Sequence, residues 1–133
     1  MIPVYQATNK DCIRAAFASI FELKLEEVPD FNENLPAGDS HELNKRINAW
    51  LEPFNLRFTT TFKSSMFPGP DGVIHEMSGK PEGQNFYHSV VGKSGEEVFD
   101  VCEGGLNIKN DIALGVFLVI DPSKPTNPPK SKV

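Results

Sequence analysis

The sequence predicts an α+β domain in which two N-terminal helices pack on one face of an antiparallel sheet. Three observations predict it. Ile13, Ala16, Phe17, Ile20 and Leu23 recur at helical spacing. Leu43, Ile47, Trp50 and Leu51 repeat the pattern. From Leu56 onward the chain turns to short β-favouring runs punctuated by glycine and proline.

The first helix is expected over residues 11–23, with Asp11 placed as its N-cap and its apolar stripe buried. Ala15, Ala18 and Ser19 keep the flanks thin, so a sheet can approach closely. Leu25-Glu26-Glu27-Val28 gives one short turn before Pro29 stops it. Residues 30–38 read as loop, with Pro36 and Gly38 as breakers. A second helix starts at Asp39. Glu42, three residues on, fits a capping box, and Pro53 ends the helix.

Strands are expected at 56–62, where threonines favour extended backbone, and at 72–77, 85–92, 96–102 and 115–120. Residues 63–72 carry Pro68-Gly69-Pro70-Asp71-Gly72 and form a turn-rich connection. Residues 79–84 read as loop. The domain therefore spans 1–121. Residues 122–133, with four prolines and three lysines, are expected to be a mobile tail.

A chain of 133 residues suits one core. Its net charge is −5, and the charges form no basic stripe, which argues against nucleic acid or an anionic membrane as partner. No apolar run approaches the roughly 20 residues of a membrane span. Met1-Ile2-Pro3-Val4-Tyr5 lacks the basic and apolar regions of a signal peptide, so the expected location is cytoplasmic. Cys12 and Cys102 lie far apart, and in that compartment no disulfide is expected between them. There is no C-x-x-C, and His41, His75 and His88 stand alone, so neither a metal nor another cofactor is expected.

The chemistry concentrates at Cys12. A cysteine at a helix N-terminus faces unpaired N–H groups and the positive end of the macrodipole, both of which favour thiolate. Gln6, six residues upstream, can offer a side-chain N–H to an oxyanion beside that sulfur. Asp11, next to the nucleophile, opposes thiolate formation. A general base is still needed, and His88 is the best candidate, with Asp100 to orient it.

Hairpin register decides whether His88 and Asp100 meet. If residues 91 and 96 pair, His88 faces the side of Phe99 and Asp100 points away. If Lys93-Ser94-Gly95 forms a three-residue loop, residues 92 and 96 pair and His88 sits opposite Asp100. Gly95 stands where such a loop wants a left-handed glycine, which selects the second register. Tyr87, Ser89, Val91, Phe99 and Val101 then point to the other side, and Phe86 pairs with Cys102. Cys102 reads as a packing residue, the alternative being a redox partner of Cys12. His75 reads as an exposed strand position, with a weaker reading as an auxiliary base beside Glu76. His41 reads as a surface residue.

Gln6, Cys12 at a helix start, then His88 and Asp100 on adjacent later strands together resemble the papain-like cysteine peptidase superfamily. The segments Asp11-Cys12-Ile13-Arg14-Ala15-Ala16-Phe17-Ala18-Ser19-Ile20 and Leu23-x-Leu25-Glu26-Glu27-Val28-Pro29, with the His-x-Val-Val-Gly block, look most like small bacterial and phage members. These are similar to the bacteriocin leader peptidases and, more distantly, to the NlpC-type cell-wall endopeptidases. The chain departs from the pattern in having Ile13 directly after Cys12 and Val101, not proline, after Asp100. The resemblance implies a papain-like fold and a cysteine hydrolase (peptidase or amidase) acting on a peptide or protein substrate, through an amide or isopeptide bond. The triad would be Cys12, His88 and Asp100, with Gln6 as oxyanion donor. Two rival readings share the fold: a binding module that sequesters a partner, and a deamidase or acyl transferase acting on a glutamine side chain.

Overall fold

The computed structural model describes residues 1–132. Two helices, α1 (Cys12–Phe21) and α2 (Ser40–Leu51), precede five strands: β1 (Leu56–Phe62), β2 (Ile74–Pro81), β3 (His88–Lys93), β4 (Glu96–Phe99) and β5 (Ile108–Val119). The strands form one antiparallel sheet in the order β1-β5-β2-β3-β4. This is the expected α+β arrangement.

α1 is enclosed by the fold. Ala15, Ala16, Phe17, Ala18 and Ser19 are all fully buried. Its small residues let the sheet come close on one side, where Ala15 and Ala16 meet Val91 and Val101. On the other side Phe17 meets Phe31, Phe58 and Phe117 edge-on at centroid distances of 5.1–6.1 Å and stacks on Trp50. Ile47 and Leu51 carry α2 into the same aromatic core. A buried ring of this kind stabilises by about 3–5 kcal/mol relative to alanine. α1 ends where the backbone turns left-handed at Glu22 and the Leu23 N–H returns to the Ala18 carbonyl at 2.8 Å.

The N-terminal segment straps α1 to the sheet's outer edge. Ile2 N–H donates to the Ser19 carbonyl, Val4 N–H to Ser19 Oγ, and Gln6 N–H to the Val101 carbonyl. At the other terminus, Ser131 Oγ and Lys132 N–H donate to the two carboxylate oxygens of Glu27, and Pro129 is buried.

Asp39 accepts the Glu42 N–H, as a capping residue should, but the Glu42 carboxylate turns to Arg46 and leaves the box half closed. Asp11 occupies the N-cap position of α1 without a side-chain cap bond. Its carboxylate instead accepts the Thr8 N–H and hydroxyl and lies 3.7 Å from Arg14 Nη1.

Four strands differ from expectation: β3 begins at His88, not at residue 85, β4 ends at Phe99, not at residue 102, and β2 and β5 are longer than expected. β2 runs on through residues 79–81, which read as loop. β5 begins seven residues before the apolar run at 115–120. Lys109, Asn110 and Asp111 disguise that half of β5. There the ladder to β2 is irregular, and Asp111 has a φ of 54°.

Candidate active site

The hairpin of β3 and β4 brings its two functional residues together by a different register from the one expected. Its loop has two residues, Ser94 and Gly95, with φ values of 54° and 83°, so Lys93 pairs with Glu96 and Gly92 with Glu97. Two left-handed residues in sequence make the turn whose twist suits a tight hairpin. The expected three-residue loop, with residue 92 opposite 96, does not form. A two-residue loop alone would turn Asp100 away from His88. A bulge at Val98 restores the parity, because the next pair is Val91 with Phe99. Phe99 and Val101 then pack with Val91 toward α1, and Asp100 shares the parity of His88.

The turn is held from three sides. Gly95 N–H donates to Nε2 of His75 at 2.9 Å, Lys63 Nζ donates to the Gly95 carbonyl at 2.7 Å, and Gly72 N–H donates to Ser94 Oγ at 2.8 Å. His75 is fully buried, which corrects its reading as an exposed strand position. Since its Nε2 accepts a backbone N–H, its proton sits on Nδ1, which lies 2.8 Å from the Glu76 carbonyl and donates to it. A doubly occupied, buried ring of this kind is structural, not an auxiliary base.

His88 is 3% exposed, and its Nε2 lies 2.7 Å from Asp100 Oδ1. Asp100 is fixed in turn. Oδ1 also accepts the Cys102 N–H at 2.8 Å, and Oδ2 accepts the Leu106 N–H at 2.9 Å. Burial works to raise the Asp100 pKa. The bonds from His88, Leu106 and Cys102 and the charge of His88 outweigh it, so the carboxyl sits below its usual range. For His88, burial works to lower the pKa. Hydrogen bonding with Cys12 and Asp100, and the charges of both, outweigh it and carry the ring above 6.5.

Cys12 is the first residue of α1 and is partly exposed. Its side chain lies close enough to His88 to raise the pKa of the ring. With Nε2 committed to Asp100, the nitrogen left for the sulfur is Nδ1. The first N–H groups of α1, that of Cys12 included, have no partner within the helix. Arg14 and Thr8 pair with the Asp11 carboxylate and so partly neutralise its charge.

Of the four residues singled out by sequence, Cys12, His88 and Asp100 are contiguous. Gln6 joins them through its backbone bond to Val101, between Asp100 and Cys102. Its Oε1 is buried without a hydrogen-bond partner among the described residues. Cys102 is free and partly exposed, with its thiol turned to the Glu103 carbonyl, so it is not the buried packing residue expected. Phe86 lies before β3 and half in solvent, not paired with Cys102.

Sequence reasoning passes over Glu76. It is 2% exposed in mid-strand, and burial pushes its carboxyl up to about 7 against a Ser89 hydrogen bond and the charge of His88. A signal is present in Gly115, a glycine inside an apolar strand, which marks a close approach. A Cβ there would lie 2.5 Å from Glu76 Oε1.

Beside the triad runs a groove of about 670 Å³ between α1, α2 and the sheet, lined among others by Ile13, Leu43, Phe58, Glu76, Tyr87 and Ser89. Among the described residues no helix is long and apolar enough to cross a membrane. Comparison with protein-family models, with curated proteins and with solved structures found no match, so the site stands on its own geometry.

Proposed function

We propose that the protein is a cysteine-dependent hydrolase of the papain-like type that cleaves an amide bond in a peptide or protein. The observation that carries this reading is an imidazole bound to a fixed carboxylate beside a cysteine at a helix start. Nε2 of His88 is bound to Asp100 at 2.7 Å, and Cys12 at the start of α1 lies close enough to raise the pKa of the ring. Two helices against a five-stranded antiparallel sheet support the papain-like assignment.

Each group then has one task. His88 takes the Cys12 proton, and the sulfur attacks the carbonyl carbon as the C=O electron pair moves to oxygen. The Cys12 N–H and the Gln6 amide receive that oxyanion. The imidazolium gives its proton to the leaving nitrogen as the C–N bond breaks, which leaves a thioester. His88 next removes a proton from water. The hydroxide displaces sulfur, the acid departs and the thiol regains its proton. Asp100 stays ionised throughout and holds the ring in the tautomer and orientation that both transfers need.

Cys102 supplies an internal control for the test. Iodoacetamide labelling followed by peptide mass spectrometry should alkylate Cys12 much faster than Cys102. His88→Ala should slow Cys12 by about 10²-fold or more while leaving Cys102 unchanged. Hydrolysis of a mixed peptide pool should vanish in Cys12→Ala. Hydrolysis that survives in Cys12→Ala, or a Cys12 no faster than Cys102, would overturn the proposal.

A further inference from the structure

The groove beside the triad has an unusual floor. Glu76 Oε1 is buried and has no hydrogen-bond partner among the described residues. The desolvation cost of that carboxyl exceeds what the Ser89 hydrogen bond and the charge of His88 return. The fold makes room for it, because any side chain at Gly115 would collide with this oxygen and with the Phe58 ring.

The walls are of another kind. Ile13, Leu35, Leu43, Phe58, Phe62 and Tyr87 give apolar surface. The polar groups among the lining residues are hydroxyls, amides and the carboxylates of Glu76 and Asp39. Among the described residues no lysine, arginine or histidine lines the groove. The Asp39 carboxylate is already engaged at the start of α2 through the Glu42 N–H. Glu76 is the buried one of the two, bonded by Ser89 and with its Oε1 lacking a partner among the described residues.

The groove also adjoins the reacting groups. Ile13 directly succeeds Cys12, and the charge of His88 reaches Glu76, so a chain lying across the triad places one side chain in this space.

We propose that this groove is a specificity subsite for a lysine or arginine side chain of the substrate, with Glu76 as the residue that receives the cationic head. The apolar walls cover the aliphatic stem, as they do for long basic side chains at protein surfaces. The cation completes the bond that Oε1 lacks. A leucine or norleucine of similar length fills the walls but leaves the acid unpaired, and a glutamate brings two acids together. The groove geometry stands by itself. Its role in choosing a scissile bond rests on the hydrolase reading above.

Tripeptide acyloxymethyl ketones test the proposal, with lysine, norleucine or glutamate placed in turn at each position. At one position lysine should label Cys12 about tenfold or more faster than norleucine. Glu76→Gln should bring the lysine-to-norleucine ratio to about one, each rate taken relative to that variant's own iodoacetamide labelling of Cys12. A parallel measurement avoids the chemistry altogether. In Cys12→Ala, NMR titration with the matching tripeptide amides should show the lysine peptide binding more tightly than the norleucine one, and Glu76→Gln should level the two. Cationic preference absent from both series, or retained in Glu76→Gln, would overturn the subsite. Failure of covalent labelling with lysine preference intact in the titration would overturn the hydrolase reading and leave the subsite standing.

Discussion

Asp100 holds Nε2 of His88 at 2.7 Å although the two residues are not ladder partners: the β3–β4 pairing ends at Val91 and Phe99. With this residue count in β4, the bulge at Val98 is what puts Asp100 on the His88 face, because a straight ladder from the two-residue loop would put it on the other. Three consequences for the triad, and one for the groove beside it, can be measured.

Inserting one alanine between Phe99 and Asp100 should leave Phe99 against Val91 and turn Asp100 away from His88. Cys12 labelling should fall toward the rate of His88→Ala, with stability lowered by about 1–3 kcal/mol for the lost carboxylate bonds. Val98→Ala keeps the count and touches a side chain that is half in solvent, so it should lie within about 0.5 kcal/mol of wild type. Urea unfolding and alkylation rates on the two variants check both halves.

The raised His88 pKa fixes a direction for pH. The folded protein favours the protonated ring more than the unfolded chain does. The stabilisation is therefore full below 6.5 and is lost as pH rises through the folded value. The stability gap between wild type and His88→Gln should be wider near pH 5.5 than near pH 9, as read from urea midpoints. A gap that widens with rising pH would contradict the site's electrostatics.

Asp100 has the opposite sign. Its pKa lies below 3.8 in the fold, so its contribution is present above 3.8 and disappears as acid carries the pH down through the folded value. Asp100→Asn should flatten the acid limb of the stability curve. Asp100→Ala should also lose the loop bonds from Cys102 and Leu106, costing about 1–3 kcal/mol and lowering turnover by about 10²-fold or more. Asparagine, which can still accept from Nε2, should keep the higher activity of the two.

Gly115→Ala places a methyl 2.5 Å from both Glu76 Oε1 and the Phe58 ring. Overpacking of this kind costs about 1–3 kcal/mol. Combining it with Glu76→Ala should cost less than the sum, since one collision is removed. Thermal unfolding of the two single variants and the double variant gives the coupling directly.

The helices and the triad are legible in the sequence because their signals are local or nearly so. Phe17, Ile47 and Leu51 declare their burial by spacing, and Cys12 declares its helix start by the small and apolar residues of 13–20. Gly95 reads correctly as left-handed, yet the loop length around it does not. A two-residue loop with a bulge and a three-residue loop leave the same alternation, and nothing in Glu96-Glu97-Val98-Phe99 tells them apart. The first half of β5 escapes sequence reading because Lys109, Asn110 and Asp111 sit at an irregular ladder, where exposure removes the usual pattern. His75 and Glu76 mislead because their burial comes from strands distant in sequence. Only the partners across the sheet, Gly95, Gly92 and Gly115, make room for or bind those side chains.

The strap of residues 1–6 gives the site a mechanical character. Its hydrogen bonds attach one ribbon to Ser19, on the helix that begins with Cys12, and to Val101, beside Asp100. Cys12 and Asp100 are thus moored to the same line, and Val4 of that line packs on the aromatic core as well. Tension applied at the amino end loads α1, the core and the loop beside Asp100 together, so a protein tethered to a surface through that end should lose fast Cys12 alkylation and its fold at the same force.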